Sequence, residues 1–324
     1  MRRLLFICLV TCLACLGSVG ADPLRVVILS DFNGPYGSVT YPAPLGAAVR
    51  HILADPPNLV LSAGDLIAGQ KPALSDAQVR AMWAGFETEV AAPLRTAGIP
   101  LAAALGNHDA AQARDRREAA RYWQAHPPAA ELLDGQDFPF QYTFRVRDTA
   151  GRTLWGAVLD APGPALRPGA VAWLRRQLTS EAAQAAQVRL VVGHLPLSGI
   201  SAGKNAPGEV LRPGDAAALA LALQEGGVLA YVSGHHAAAY AGRLAGPQVN
   251  VLASGGIGGR DYLGQPGSAR DTVLDLELDL AGGEGRVRIR DAQTWATVPL
   301  ERLPTHLSGL GGRLERLPGG LLKR

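Results

Sequence analysis

Cysteine is confined to the first fifteen residues, as Cys8, Cys12 and Cys15. They lie in the opening "MRRLLFICLVTCLACLGSVGADPLRVV". This stretch begins with the positive pair Arg2 and Arg3, continues through an apolar run from Leu4 to Leu16, and reaches a small-residue cleavage site at Val19-Gly20-Ala21. That is the pattern of a secretory signal peptide over residues 1–21. Cleavage after Ala21 leaves a chain without cysteine, which excludes a disulfide framework and a thiolate metal site. The expected location is secreted or periplasmic. Lipoprotein anchoring is the minor alternative, because "CLA" before Cys15 is a poor version of the pattern that precedes a lipid-modified cysteine.

Long hydrophobic runs are also missing. The apolar part of the leader falls short of the roughly 20 residues that a membrane span needs, and no later segment reaches that length, so stable membrane insertion is not expected. Excess charge of either sign is absent too. The formal charge of +3 falls to +1 once Arg2 and Arg3 leave with the leader, which removes any electrostatic case for nucleic acid or an anionic membrane as partner. There is no G-x-x-x-x-G-K-S/T loop and no G-x-S-x-G elbow. The Gly loop "SGGIGGR" at 254–260 reads as a flexible loop after a strand, from which Arg260 could approach a phosphate without a specific signal for it; the loop does not follow the first strand and open a helix, so it is no dinucleotide fingerprint.

What the chain does contain is alternation. The apolar runs "LRVVILSD", "NLVLSAGD", "PLAAALGNHD", "RTLWGAVLDA", "VRLVVGH", "VLAYVSGH" and "VNVLASGG" have strand length. Between them lie Ala-rich helical stretches: "PLGAAVRHILAD", "SDAQVRAMWAGFETEVAAPLR" with Ser75 as N-cap, "AAQARDRREAARYWQAH", "PGAVAWLRRQLTSEAAQ" and "PGDAAALALALQE". Continuous apolar strands separated by helices imply an α/β domain whose sheet is covered on its faces. "TVLDLELDLAGGEGRVRIRD" alternates strictly about a Gly-rich turn, which predicts an antiparallel hairpin. The expected organisation is a leader at 1–21, one domain at 22–300 and a loosely attached Gly/Leu/Arg-rich tail at 301–324, partly helical at most.

The metal-capable residues fall at the ends of these strands. Asp31 ends the first run, Asp65 the second, Asn107-His108-Asp109 the third, His194 a later one and His235 the last of the set. Strand carboxyl ends converge on one edge of an α/β sheet, the usual position of a ligand crevice. Singly, each residue reads as a turn, a cap or a hydrogen-bonded core group. Five such coincidences in order favour a site. His51, His126 and His306 fit no such pattern and read as structural or surface residues.

The stretches "SDFNG", "SAGDL", "LGNHD", "VVGHLP" and "SGHHA", over about residues 25–240, resemble the calcineurin-like metallophosphoesterase superfamily, whose blocks run D-x-H, G-D, G-N-H-D/E, G-H and G-H-x-H. The histidine spacing is closer to the purple acid phosphatase branch. The resemblance implies a four-layer αββα sandwich and two metal ions bridged by Asp65. Asn107, His194 and His235 would complete one metal site. His108 would face the phosphate, with Asp109 holding its ring. Mn, Zn or Fe suits such ligands, with one or two ions per chain. The implied activity is hydrolysis of a small phosphorylated substrate, a phosphomonoester or phosphodiester, by metal-activated hydroxide.

The chain departs from the family pattern at the first-metal site. Asn33 stands where D-x-H has histidine, Ala68 where the purple acid phosphatase branch has a ligating tyrosine, and Ala237 where G-H-x-H has its second histidine. Asp31, the shared Asp65 and the weaker ligand Asn33 remain there. His236 cannot replace Ala237 in an extended segment, because neighbouring side chains point to opposite faces. The alternative to an enzyme is therefore a catalytically weakened or inactive member that binds a metal or a phosphorylated ligand. Tyr36 and Tyr41 stand near the rim, to flank a substrate or to pack, and segments 112–140 and 198–212 are expected to carry specificity.

Overall fold

The computed structural model describes residues 22–324, so the expected leader lies outside the described residues. The strands are β1 (Leu24–Leu29), β2 (Leu59–Ser62), β3 (Leu101–Ala103), β4 (Glu131–Asp137), β5 (Gln141–Arg147), β6 (Thr153–Val158), β7 (Val188–Val192), β8 (Ala230–Ser233), β9 (Tyr240–Leu244), β10 (Val249–Ala253), β11 (Thr272–Asp279), β12 (Glu284–Asp291), β13 (Thr297–Val298), β14 (His306–Gly309), β15 (Gly312–Arg316) and β16 (Leu321–Leu322). One sheet runs β13-β12-β11-β1-β2-β3, with β16 also paired to β12. The other runs β14-β15-β9-β10-β8-β7-β6-β5-β4.

The helices are α1 (Ala43–Ala54), α2 (Asp76–Phe86), α3 (Ala92–Thr96), α4 (Asn107–Ala110), α5 (Ala113–Ala125), α6 (Ala170–Leu178), α7 (Glu181–Ala185) and α8 (Pro213–Glu225). A π-helical turn, Glu87–Ala91, joins α2 to α3. Ser75 caps α2 through a reciprocal capping box with Gln78, which satisfies backbone donors that the first turn leaves free.

Alternation along the strands builds the layers. In β1, Val26 and Ile28 enter a core shared with Tyr231 and Leu190 of the second sheet, while Val27 and Leu29 enter another with Leu45, Ile52 and Phe86 of α1 and α2. Leu174 and Leu178 of α6 and Leu219 and Leu223 of α8 cover the outer face of the second sheet. The result is a four-layer αββα sandwich. Its central strands pair in parallel, as β1-β2-β3 and as β6-β7-β8-β10, so their carboxyl ends open onto one edge of the sandwich.

One part of the sequence reading needs correction. The expected loose tail is β-structure: β15 pairs antiparallel with β9, β14 pairs with β15, and β16 pairs with β12. Leu307, Leu314, Leu317 and Leu322 are buried, so the leucines that seemed aperiodic each fill a place against a sheet. Within segment 112–140 the expected helix forms as α5, and β4 follows it. The hairpin β11–β12 has the expected antiparallel register, Thr272 opposite Asp291 through Asp279 opposite Glu284.

Candidate metal centre

Asp31 follows β1, Asp65 follows β2, Asn107 opens α4 after β3, His194 follows β7 and His235 follows β8. Asp31, Asp65 and His235 have φ of 52°, 58° and 67°, in the left-handed region that non-glycine residues seldom occupy. Such strain persists where surrounding contacts hold it, and here it aims three side chains into one space. The glycine before a ligand makes room for another: a Cβ on Gly106 would lie 2.2 Å from Asp65 Oδ1, and one on Gly234 would lie 2.6 Å from Asp31 Oδ2.

His194 is fully buried, and its Nδ1–H donates to the Ala63 carbonyl at 2.7 Å. That bond turns Nε2 toward Asn107 Oδ1 at 2.9 Å, His235 Nδ1 at 3.2 Å and Asp65 Oδ2 at 3.4 Å. Burial opposes charge on His194, yet Asp65 outweighs it and pushes the ring up to about 9. A proton on Nε2 and a metal ion beside it are alternative ways to satisfy the same converging oxygens. Burial acts against Asp65 as well, but the facing histidines hold its carboxyl below the usual carboxylate range. The separations of Asn107, His235 and Asp65 from His194 Nε2 suit four donors sharing one ion at bonds of roughly 2.0–2.2 Å. Asp65, His194 and His235 form the metal-capable cluster of the described residues.

His235 brings a residue that the sequence did not reveal. Its Nε2–H donates to Glu209 Oε2 at 2.6 Å, leaving Nδ1 to face His194. Burial, with the His194 and Lys204 charges, pushes the His235 ring down to about 3, which keeps Nδ1 free of a proton and fit to ligate. A carboxylate behind a ligating imidazole fixes its tautomer and strengthens it as a donor. Glu209 lies in segment 198–212 and is also paired with Lys204 at 2.9 Å.

His108 is partly buried, stacked on Tyr36 with centroids 5.1 Å apart. Its Nδ1 accepts from the Asn33 side-chain amide at 3.3 Å, so its proton sits on Nε2, 4.0 Å from Asp65 Oδ2. Asp109 does not hold this ring. Its Oδ1 accepts from the Leu66 and Ile67 N–H groups at 2.9 and 3.0 Å, and its Oδ2 from Asp65 N–H and Gly106 N–H, each at 2.8 Å. At the third position of the short α4, the Asp109 side chain folds back over the helix start, out of reach of His108. Its function is to shape the loop that carries Asp65. Tyr41 packs on Phe32 and donates to the Leu66 carbonyl at 2.8 Å.

The first-metal half is sparse. Asp31 Oδ2 accepts from Ser30 Oγ and from His235 N–H, and burial, with Asp65 adding and His194 opposing, pushes its carboxyl up to about 7. Asn33 directs its amide to His108 and Gly34, and Ala68 is buried in the helix-side core. His236 turns away: its Nδ1 accepts from Ile200 N–H at 3.1 Å and its Nε2–H donates to the Glu209 carbonyl at 3.0 Å. His51 stacks on Trp295, His126 stacks on Tyr122, and His306 lies at the start of β14, all apart from this centre. The centre opens into a cleft of about 790 Å³ whose wall includes Tyr36, Gln70, Pro162, Lys204 and Arg260.

The family model for calcineurin-like phosphoesterases matches residues 24–238, which span every residue of this centre. The chain belongs to the calcineurin-like phosphoesterase family. That membership supports metal-dependent phosphoester hydrolysis as the class of chemistry, and Asp65, His194 and His235 form a cluster that could hold a metal ion. Among solved structures, a purple acid phosphatase from yellow lupin (Lupinus luteus) seeds is similar in fold, with 15% identity and a TM-score of 0.60 over 86% of this chain and 53% of that one. The chain thus spans about half the length of that relative. GAP50, described as the anchor in the inner membrane complex of Plasmodium, is similar at 14% identity and a TM-score of 0.54, over 94% of this chain and 90% of that one. No curated protein matches the chain. Among the described residues, no helix is long and apolar enough to cross a membrane.

Proposed function

We propose that the chain is an exported metal-dependent phosphoesterase that hydrolyses small phosphomonoesters or phosphodiesters, with its principal metal site at Asp65, Asn107, His194 and His235. The observation that carries this reading is the convergence of these four donors on one point, with Glu209 fixing His235 and the Ala63 carbonyl fixing His194. A carboxylate, an amide oxygen and two imidazoles suit Mn, Zn or Fe. Such an ion supplies Lewis acidity and makes water a nucleophile near neutral pH. His108 presents Nε2–H to the cleft, where it can donate to a phosphoryl or leaving-group oxygen, while Asn33 and Tyr36 hold the ring in place. Export rests on the leader pattern at 1–21.

A second reading has its own support. Ala68 is buried in the core, Ala237 brings no donor, and Asn33 is turned to His108, which describes a family member that binds a metal or a phosphorylated ligand without turning it over. The deciding measurement is hydrolysis of aryl phosphomonoesters and phosphodiesters by residues 22–324, titrated with Mn, against Asp65→Ala. Metal-dependent turnover that the variant loses is the expected result. A folded protein inert in saturating Mn would leave the binding reading in its place.

A further inference from the structure

Two side-chain cations line the cleft: Arg260, on the half that has few metal donors, and Lys204, beside His235. The loop at 254–260 is pinned onto it: Ile257 N–H donates to the Asp31 carbonyl at 3.0 Å, and Arg260 N–H donates to the Ala237 carbonyl at 2.8 Å. Gly256, at a φ of 94°, lies so close that a Cβ there would be 2.9 Å from Asp31 Cβ and 3.1 Å from Ala237 Cβ. From this anchor the Arg260 side chain crosses toward the turn at 202–204, with its Nη1 3.8 Å from where a Cβ on Gly203 would stand. Ala202 N–H donates to the Asp261 carbonyl at 3.0 Å and ties turn to loop. Lys204, at the end of that turn, places Nζ 3.4 Å from His235 Nε2 and 2.9 Å from Glu209 Oε2. Lys204 is thus already paired, whereas Arg260 has no carboxylate partner among the described residues.

Charge bookkeeping shows what they do. The carboxylates that line the cleft are Asp31, Asp65 and Glu209, and its side-chain cations other than histidine are Lys204 and Arg260. With Asp31 ionised, one divalent ion and no other cation, the cleft would be negative by one charge and would repel a phosphate dianion. Lys204 and Arg260 turn this to positive by one, as a second divalent ion would. A guanidinium also offers a planar fork of donors matched to two phosphoryl oxygens.

We infer that Arg260, with Lys204 beside it, binds the phosphoryl oxygens of the substrate and supplies the charge that a second metal ion would otherwise bring. This rests on the phosphoesterase reading for the identity of the anion, but not for the binding itself. The test is calorimetric titration of inorganic phosphate into Zn-loaded protein, with metal content measured in parallel, for the unaltered chain, Arg260→Ala, Arg260→Lys, Lys204→Ala and, as control, Arg176→Ala on α6. The expected result is about one ion per chain throughout and a phosphate Kd roughly tenfold weaker for Arg260→Ala and Lys204→Ala, the loss expected for one hydrogen bond to a charged group. Arg260→Lys should recover part of that loss, and Arg176→Ala should match the unaltered chain. Two tightly held ions in the unaltered chain, or a phosphate affinity within twofold after Arg260→Ala, would overturn the inference. Weakened phosphate binding without any phosphoester turnover would retire the hydrolase reading and leave this one standing. Turnover with phosphate affinity unchanged by Arg260→Ala would do the reverse.

Discussion

Neighbouring histidines in "SGHHA" have opposite fates, and the reason is local geometry. His235, at positive φ, enters the centre and is backed by Glu209, while His236 is turned into the protein to serve the N–H groups of Ile200 and Ser201. The two roles separate by mutation. Glu209→Gln weakens the acceptor behind His235 and should lower metal affinity by about 10–100-fold, measured by competition with a chelator, with little change in unfolding. His236→Ala should leave metal stoichiometry intact and cost about 1–3 kcal/mol in denaturant unfolding, because it strands buried backbone donors. The sequence revealed His235 because its neighbours follow a spacing. It could not reveal Glu209, whose only signal is a carboxylate in an irregular segment, nor the turn of Asp109 away from His108, which depends on where α4 begins.

At the scale of elements, the strands that were legible are the continuous apolar ones buried on both faces, such as β7 and β8. β4 was not read as a strand, since "ELLDGQD" is mostly exposed and carries a bulge at the sheet edge. Its neighbour β5 carries a tie between the sheets that no periodicity announces. The Tyr142 hydroxyl accepts from Ala103 N–H at 2.9 Å and donates to the Ala103 carbonyl at 3.0 Å. β3 is an edge strand, so these backbone groups find their partner on a side chain of the other sheet instead of on a further strand. Tyr142→Phe keeps the ring and removes both bonds. Because Tyr142 is fully buried, the expected cost is about 1–3 kcal/mol in chemical denaturation, and an unchanged midpoint would show that this pair of bonds does not help to hold the two sheets together.

For the whole molecule, the last strands complete both sheets, β14 and β15 in the second and β16 in the first. β15 covers the edge of β9, and β14 lies outside it. Leu307, Leu314, Leu317 and Leu322 together bring four buried side chains, each worth roughly 1.5–3 kcal/mol. A chain ending at Arg302 should therefore unfold at a clearly lower denaturant midpoint and self-associate through the exposed β9 edge, measurable by light scattering. A truncated chain as stable and monomeric as the full one would restore the picture of a loose tail.

By itself the sequence determined the alternation of strands and helices, the family blocks and the metal-capable residues at strand ends, because each depends on residue identity at short range. It also set the losses at Asn33, Ala68 and Ala237. The tertiary structure decided which atoms face one another: Glu209 behind His235, Asp109 beneath the Asp65 loop, Arg260 over Ala237, and the final leucines against two sheets. Those pairings join residues that are distant along the chain or hidden in irregular segments, so local pattern holds no record of them. They exist only once the two sheets stack and bring their carboxyl ends to one edge.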